Sequence, residues 1–333
     1  MRIALDAQGS DLHPRTEIAG ALEALRELPG DFRVTLVGDR DELAQELASQ
    51  GADGLRERID LVHAPTRVES SDSPAAAIRR KPDSSIAVGL RLQRDGDVDA
   101  FISAGPTGAV MANSLFVLRA VEGVDRPTVA TVLPTAGLPL VMLDAGANVD
   151  CKPRQLLQFG RLGAVYAEDV LGRQRPKVGL LNIGEEPEKG DERSVAAHAL
   201  LRDSELNFVG NVEGRDVITG SCDVLVTDGF AGNVLLKFYE AVATFMSDLI
   251  RERFPDADPG VVHEVTRILD YTESGGAPLL GVNGVSIICH GGSPPRAIRN
   301  AIRMAIQSVR SDVVGHIRRE IAERAESTVR EVS

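Results

Sequence analysis

The chain has 333 residues, 43% of them hydrophobic, and its 37 basic and 49 acidic side chains leave a formal charge of −12. That length and apolar content can bury a large core and exclude a disordered chain. The acidic field argues against a general binder of nucleic acid or of an anionic membrane. The absence of Trp and an aromatic content of 4% also count against base-stacking surfaces and a membrane aromatic belt. A small anionic substrate stays open, because a few local cations and helix ends can hold one.

Strand-like β-branched runs are predicted, in chain order, at 2–6, 33–37, 59–62, 100–103, 129–133, 140–144, 178–182, 224–227 and 286–289. Between most of them lie segments of 10–18 residues with apolar positions at helical spacing. The alternation predicts βαβ units: an α/β fold in three α/β/α layers, with a mostly parallel sheet covered on both faces. A single α/β domain over 1–333 is expected, with a helical elaboration at about 234–275 and its nearest approach to a boundary in the Pro-rich turn 254–260. The three cysteines, Cys151, Cys222 and Cys289, form no C-x-x-C pair, so a reduced cytoplasmic setting is expected. The opening reaches Asp6 before any secretory core could form, and the apolar stretch 129–143 is short and broken by Pro134, Gly137 and Pro139.

Two helical patterns carry more detail. In 295–310, Arg296, Arg299, Arg303 and Arg310 project to one side and Ile298, Ala301, Ile302, Ala305 and Val309 to the other. This reads either as a core-packing helix with a solvated face or as a docking stripe for an acidic partner. In 234–254, apolar residues cover more than half the circumference, which predicts a second burial against a subunit partner or, less directly, a membrane surface.

Neither a Walker A loop nor a G-x-G-x-x-G is present. Strand, small-residue turn and helix start instead recur at Ser103-Ala104-Gly105-Pro106-Thr107-Gly108, at Thr227-Asp228-Gly229-Phe230-Ala231-Gly232-Asn233 and at His290-Gly291-Gly292-Ser293-Pro294-Pro295. Each is expected to present free helix-start N–H groups beyond a strand's carboxyl end, the rim where open α/β sheets bind ligands. Two further loops crowd polar groups after a strand: Asp144 to Lys152, with Asn148 and Asp150, and Asn182 to Gly190, with Glu186 and Lys189. Ordinary capping by Asp150 and a solvated acidic loop would explain them. Alternatively, Lys152 and Lys189 contact phosphate or an oxyanion, with Asn148 and Asn233 as neutral donors. No metal-ligand spacing and no G-x-S-x-G elbow occur, so neither a metal nor a cofactor is expected. Cys151, beside Lys152 and a helix start, is a minor candidate for a low-pKa nucleophile.

At these same segments, from Met1 to about Arg310, the sequence resembles the PlsX family, the phosphate acyltransferases of bacterial phospholipid synthesis. The strings Asp144-Ala145-Gly146-Ala147-Asn148-Val149-Asp150-Cys151-Lys152-Pro153 and Leu181-Asn182-Ile183-Gly184-Glu185-Glu186 carry the likeness. So do Asn211-Val212-Glu213-Gly214-Arg215-Asp216 and Gly275-Gly276-Ala277-Pro278-Leu279-Leu280-Gly281. The resemblance implies transfer of a fatty acyl group from acyl carrier protein to inorganic phosphate. It also implies a fold similar to phosphotransacetylases and to isocitrate and isopropylmalate dehydrogenases, in a homodimer peripherally associated with the membrane, with a glycerol-phosphate acyltransferase downstream. On that basis Lys189 and Asn233 are expected at the reacting centre with assistance from His290. Gly105, Thr107, Gly108, Asn148, Asp150, Lys152, Asn182, Glu186 and Asp228 are expected to hold phosphate or substrate, and Arg296, Arg299 and Arg303 the carrier protein. Gln8, Ser10, Pro106, Ala231 and Gly292 depart from the family's usual residues. A short-chain phosphotransacetylase acting on coenzyme A thioesters and a non-catalytic scaffold for lipid enzymes are the alternatives.

Overall fold

The computed structural model describes residues 1–52, 54–254, 258, 260 and 275–331, the last eight by backbone only. The backbone gathers into two compact units, Met1–Pro127 with Ser274–Ser333, and Thr128–Glu273.

The first unit holds strands β1 (Arg2–Asp6), β2 (Arg33–Gly38), β3 (Ile59–His63), β4 (Ala100–Ser103), β10 (Ala277–Leu280) and β11 (Val285–Ile288). They are ordered β3-β2-β1-β4-β11-β10, parallel as far as β11 and antiparallel at β10. Every residue of β4 and β11, and Ile3 to Asp6 of β1, is buried. Runs of burial, in place of alternation, are what a sheet covered on both faces requires. Helix α1 (Arg15–Glu27) packs against the helix Pro295–Arg310. Their approach is close: a Cβ on Gly20 would stand 2.5 Å from Ile298 Cβ, so only glycine lets these two helices meet. The helices α3 (Pro74–Arg80), α4 (Ser85–Arg94) and α5 (Thr107–Leu118) form another packed group. Ser73 and Ser84 start α3 and α4 as N-caps, accepting from the Ala76 and Ala87 N–H groups.

The second unit holds β5 (Thr128–Leu133), β6 (Leu140–Leu143), β7 (Lys177–Asn182), β8 (Asn207–Glu213) and β9 (Val224–Val226), ordered β5-β6-β9-β7-β8. Only the β5–β6 pair is antiparallel. Its helices include α6 (Pro153–Asp169), α7 (Glu192–Arg202), the short α8 (Gly214–Thr219) and the long α9 (Gly229–Arg253). The loops after β6, β9 and β7 leave the carboxyl ends of three adjacent parallel strands, so the sequence segments 144–152, 227–233 and 183–191 share one end of this sheet.

The expected α/β architecture and all nine predicted strands are present, and β8 and β10 are additional. Of the helical elaboration expected at about 234–275, residues 234–253 belong to α9, and most of the rest, including 255–257 and 259 of the turn predicted at 254–260, lies outside the described residues. The wide apolar arc of α9 is exposed: Phe230, Phe238 and Phe245 are 64%, 67% and 64% accessible, with Val234, Val242 and Met246 beside them. No helix among the described residues is long and apolar enough to cross a membrane.

Candidate active site

The second unit brings most of the expected residues to the carboxyl end of its parallel strands. After β6 the chain turns around Asp144, which is fully buried. Its Oδ1 accepts the N–H groups of Gly146 and Ala147 at 3.1 and 2.9 Å. Its Oδ2 accepts the N–H and the side-chain amide of Asn148 at 2.6 and 2.8 Å. The burial of this polar side chain is compensated because donors surround both of its oxygens. Asn148 serves as a tie: its carbonyl accepts the Gly229 N–H at 2.8 Å and the Cys151 thiol at 3.2 Å. Asp150 is exposed, and Lys152, with its side chain outward, occupies the N-cap position of α6 where capping by Asp150 was the simpler expectation.

The loop after β7 is held from the sheet side. Asn182 donates its amide to the Lys189 carbonyl at 2.9 Å, and Asn211 donates to the Glu186 carbonyl at 2.8 Å. Those contacts fix the backbone and leave the Lys189 and Glu186 side chains exposed. The loop ends at Asp191, whose Oδ1 accepts from both the N–H and the hydroxyl of Ser194 at 2.7 Å and caps α7.

After β9, Asp228 caps α9 by accepting the Phe230 and Ala231 N–H groups at 2.9 Å. The Gly232 N–H donates to the Asp228 carbonyl at 2.9 Å. With Gly229 already bound to Asn148, the first four N–H groups of α9 are all paired. The expectation of an open helix-start anion site is corrected here, because an N-capping carboxylate and a neighbouring carbonyl use the donors. What this turn offers is the exposed side chain of Asn233, which lies against the 144–148 turn: a Cβ on Gly146 would be 3.4 Å from Asn233 Oδ1. Gly232 is required for that approach, since a Cβ there would stand 1.9 Å from the Asp144 carbonyl oxygen.

Arg193, which the sequence reading missed, joins two of these loops. Its Nη2 lies 2.7 Å from Asp228 Oδ2 and 3.0 Å from Asp191 Oδ2. Cys151 does not fit a reactive nucleophile: burial and the nearby Asp144 carboxylate push its thiol up to about 11.

In the first unit, the Gly105 N–H donates to Ser103 Oγ at 3.0 Å, and Ser103 Oγ donates to Asp6 Oδ2 at 2.6 Å. The amide of Gly105 is therefore spent inside the turn, and the exposed Thr107 and Gly108 open α5. Burial raises the Asp6 carboxyl above its ordinary range, opposed by the Ser103 and Ser85 hydroxyls. At the third turn, His290 is exposed and its Nδ1 accepts the Gly292 N–H at 3.1 Å. Pro294 and Pro295 carry no N–H, so this helix start too offers fewer donors than expected. On the helix behind it, Arg299 pairs with Glu27 at 2.5 Å, Arg296 is half-buried, and Arg303 is exposed.

Glu17 in α1 is fully buried, and burial raises its carboxyl to about 7, opposed by hydrogen bonds such as the Ser10 N–H that it accepts at 2.8 Å. The folded state therefore binds a proton at Glu17 that the unfolded chain releases near its ordinary value of 4.5. Stability falls as pH rises from about 4.5 to about 7 and is level beyond, an effect on the order of 3 kcal/mol. Glu17→Gln is expected to lose this component, so the variant-minus-parent difference in urea unfolding free energy rises across that window and then flattens.

Exposed lysine and amide side chains on the loops at the carboxyl end of a mostly parallel α/β sheet lie where enzymes of this architecture bind their ligands. The family described as fatty acid synthesis protein matches residues 1–316. A phosphate acyltransferase of Desulforamulus reducens is 48% identical, covering 96% of this chain and 97% of that protein. One from Heliobacterium modesticaldum is 45% identical over 98% and 99% of the two chains. Among solved structures, a phosphotransacetylase from Streptococcus pyogenes (TM-score 0.61, 17% identity, 93% and 94% coverage) and the EutD phosphotransacetylase from Staphylococcus aureus (0.59, 15%, 93% and 94%) share the fold. The chain belongs to the fatty acid synthesis protein family, with phosphate acyltransferases as full-length relatives.

Proposed function

We propose that this chain transfers a fatty acyl group from acyl carrier protein to inorganic phosphate, giving acyl phosphate and the free carrier thiol for phospholipid synthesis. The observation that carries this is the pair of exposed side chains, Lys189 and Asn233, on two loops at the same end of the second unit's sheet. Such a site binds and stabilises charge through side chains and offers no strong base. The reaction asks for little else. A phosphate oxygen, already anionic near neutral pH, attacks the thioester carbonyl carbon, and the resulting oxyanion is stabilised by Lys189 and the Asn233 amide. The C–S bond then breaks, and the carrier sulfur leaves as a thiolate that takes its proton from water. Lys152 and the 144–148 turn orient phosphate.

The test is phosphate-dependent release of carrier thiol together with hydroxylamine trapping of the acyl phosphate. A coenzyme A thioester used as efficiently as acyl carrier protein would favour a short-chain phosphotransacetylase, and neither product would favour a scaffold. Carrier proteins are acidic, and the arginine side of the helix Pro295–Arg310 is the complementary surface on an otherwise acidic chain. Arg303→Glu is expected to raise KM for the carrier substrate about tenfold at low salt and less at high salt, with kcat retained. An unchanged KM at low salt would assign the stripe to packing alone. The exposed face of α9 suits a homodimer contact or a reversible peripheral association with a membrane, in a cytoplasmic protein that passes acyl phosphate to a glycerol-phosphate acyltransferase.

A further inference from the structure

We propose that Arg193 is a positioning residue that locks the loop carrying Lys189 to the helix start carrying Asn233, an inference that rests on the acyl-transfer reading above. The geometry divides the work of two carboxylates. Asp191 gives Oδ1 to Ser194, capping α7, and Oδ2 to Arg193. Asp228 gives Oδ1 to Phe230 and Ala231, capping α9, and Oδ2 to the same guanidinium nitrogen of Arg193. Lys189 precedes the first cap by two residues, and Asn233 follows the second by five. A shift of either helix start therefore reaches a reacting side chain unless something ties the two caps together.

Arg193 is that tie, and it is a strong one. Asp228 is only 9% exposed and the arginine side chain 28%, so solvent and salt screen the pair less than they do a surface pair. The remaining supports of the Lys189 loop, Asn182 and Asn211, are hydrogen bonds to its backbone from the strand side. They fix its distance from the sheet, whereas Arg193 fixes it against α9. A displacement of about 1 Å at a reacting group costs up to ~100-fold in rate. This is the size of effect the tie guards against.

The experiment uses the full chain with Arg193→Gln and Arg193→Lys. Arg193→Gln is expected to lower kcat roughly 10- to 100-fold with KM for the acyl donor within about twofold of the parent. Arg193→Lys is expected to recover part of the loss, because both contacts go to one nitrogen. Hydrogen exchange supplies a readout that does not depend on turnover: amides of 183–191 and of 229–233 should both exchange faster in Arg193→Gln, with 153–169 unchanged. A kcat within twofold of the parent, or faster exchange confined to one of the two segments, overturns the proposal. Absence of phosphate-dependent thiol release in the parent chain would instead sink the acyl-transfer reading, and the exchange result would still decide whether Arg193 couples the loops.

Discussion

Lys189→Ala and Asn233→Ala are each expected to lower kcat by about 10²- to 10³-fold, the range for removing one preorganised donor from a developing oxyanion. The expectation follows from how the α9 turn is built. Its helix-start amides would ordinarily be the donors for an anion, but Asp228 and the Asn148 carbonyl have taken all four. Charge arising at the thioester carbonyl must therefore be met at the α9 turn by the Asn233 side chain, with Lys189 supplying the positive charge. Both side chains are exposed, so neither variant should unfold: the thermal midpoint is expected to stay within a few degrees of the parent. Loss of turnover with retained stability separates a catalytic role from a structural one. Should both variants keep full turnover and phosphate affinity, the reacting centre lies elsewhere. Lys189→Arg tests the geometry further, since a planar guanidinium keeps the charge but not the compact point donor.

The strands of this fold were legible because buried parallel strands are short apolar runs between helical periods, and the nine of that kind emerge at their predicted places. The two that escaped differ physically. In β8, Asn207-Phe208-Val209-Gly210-Asn211-Val212-Glu213, glycine and asparagine interrupt the apolar run, and the strand lies at the edge of its sheet with a register shift opposite Val178 and Gly179. In β10, Ala277-Pro278-Leu279-Leu280 follows two glycines and contains a proline, which demotes a run to an edge or a loop.

The loops of the site were legible too, as polar crowding after strands, but what their groups do was not. Whether a helix-start N–H is available depends on the rotamer of an aspartate and on a carbonyl some eighty residues away, as at Gly229 and Asn148. Arg193 escaped for the same reason. In Asp191-Glu192-Arg193-Ser194 it reads as one charge on a solvated first turn, and its second partner, Asp228, is 35 residues on. The only local signal was that both Asp191 and Asp228 stand where N-caps belong, so each has a second oxygen to give away.

Asp144→Asn should be the most damaging isosteric change in the second unit. The side chain keeps its shape, yet an amide can present only one oxygen to donors that now fill both. With the oxygen toward Gly146 and Ala147, the NH₂ faces the N–H and the amide of Asn148, donor against donor. The flipped rotamer keeps the Asn148 pair and strands Gly146 and Ala147. Either way two donors lose a charged acceptor, at about 1.5–3 kcal/mol for each such bond. A loss of about 3–6 kcal/mol is expected in urea unfolding. Activity should fall beyond what the remaining folded fraction explains, because the 144–148 turn backs Asn233, and its Asn148 carbonyl anchors Gly229 at the start of α9. Asp144→Ala removes the donor clash but also every acceptor, so it should be no more stable than Asp144→Asn. If Asp144→Ala instead matched the parent in both midpoint and turnover, the 144–148 turn would have to be held by its backbone alone, and the buried carboxylate would not be what shapes the site.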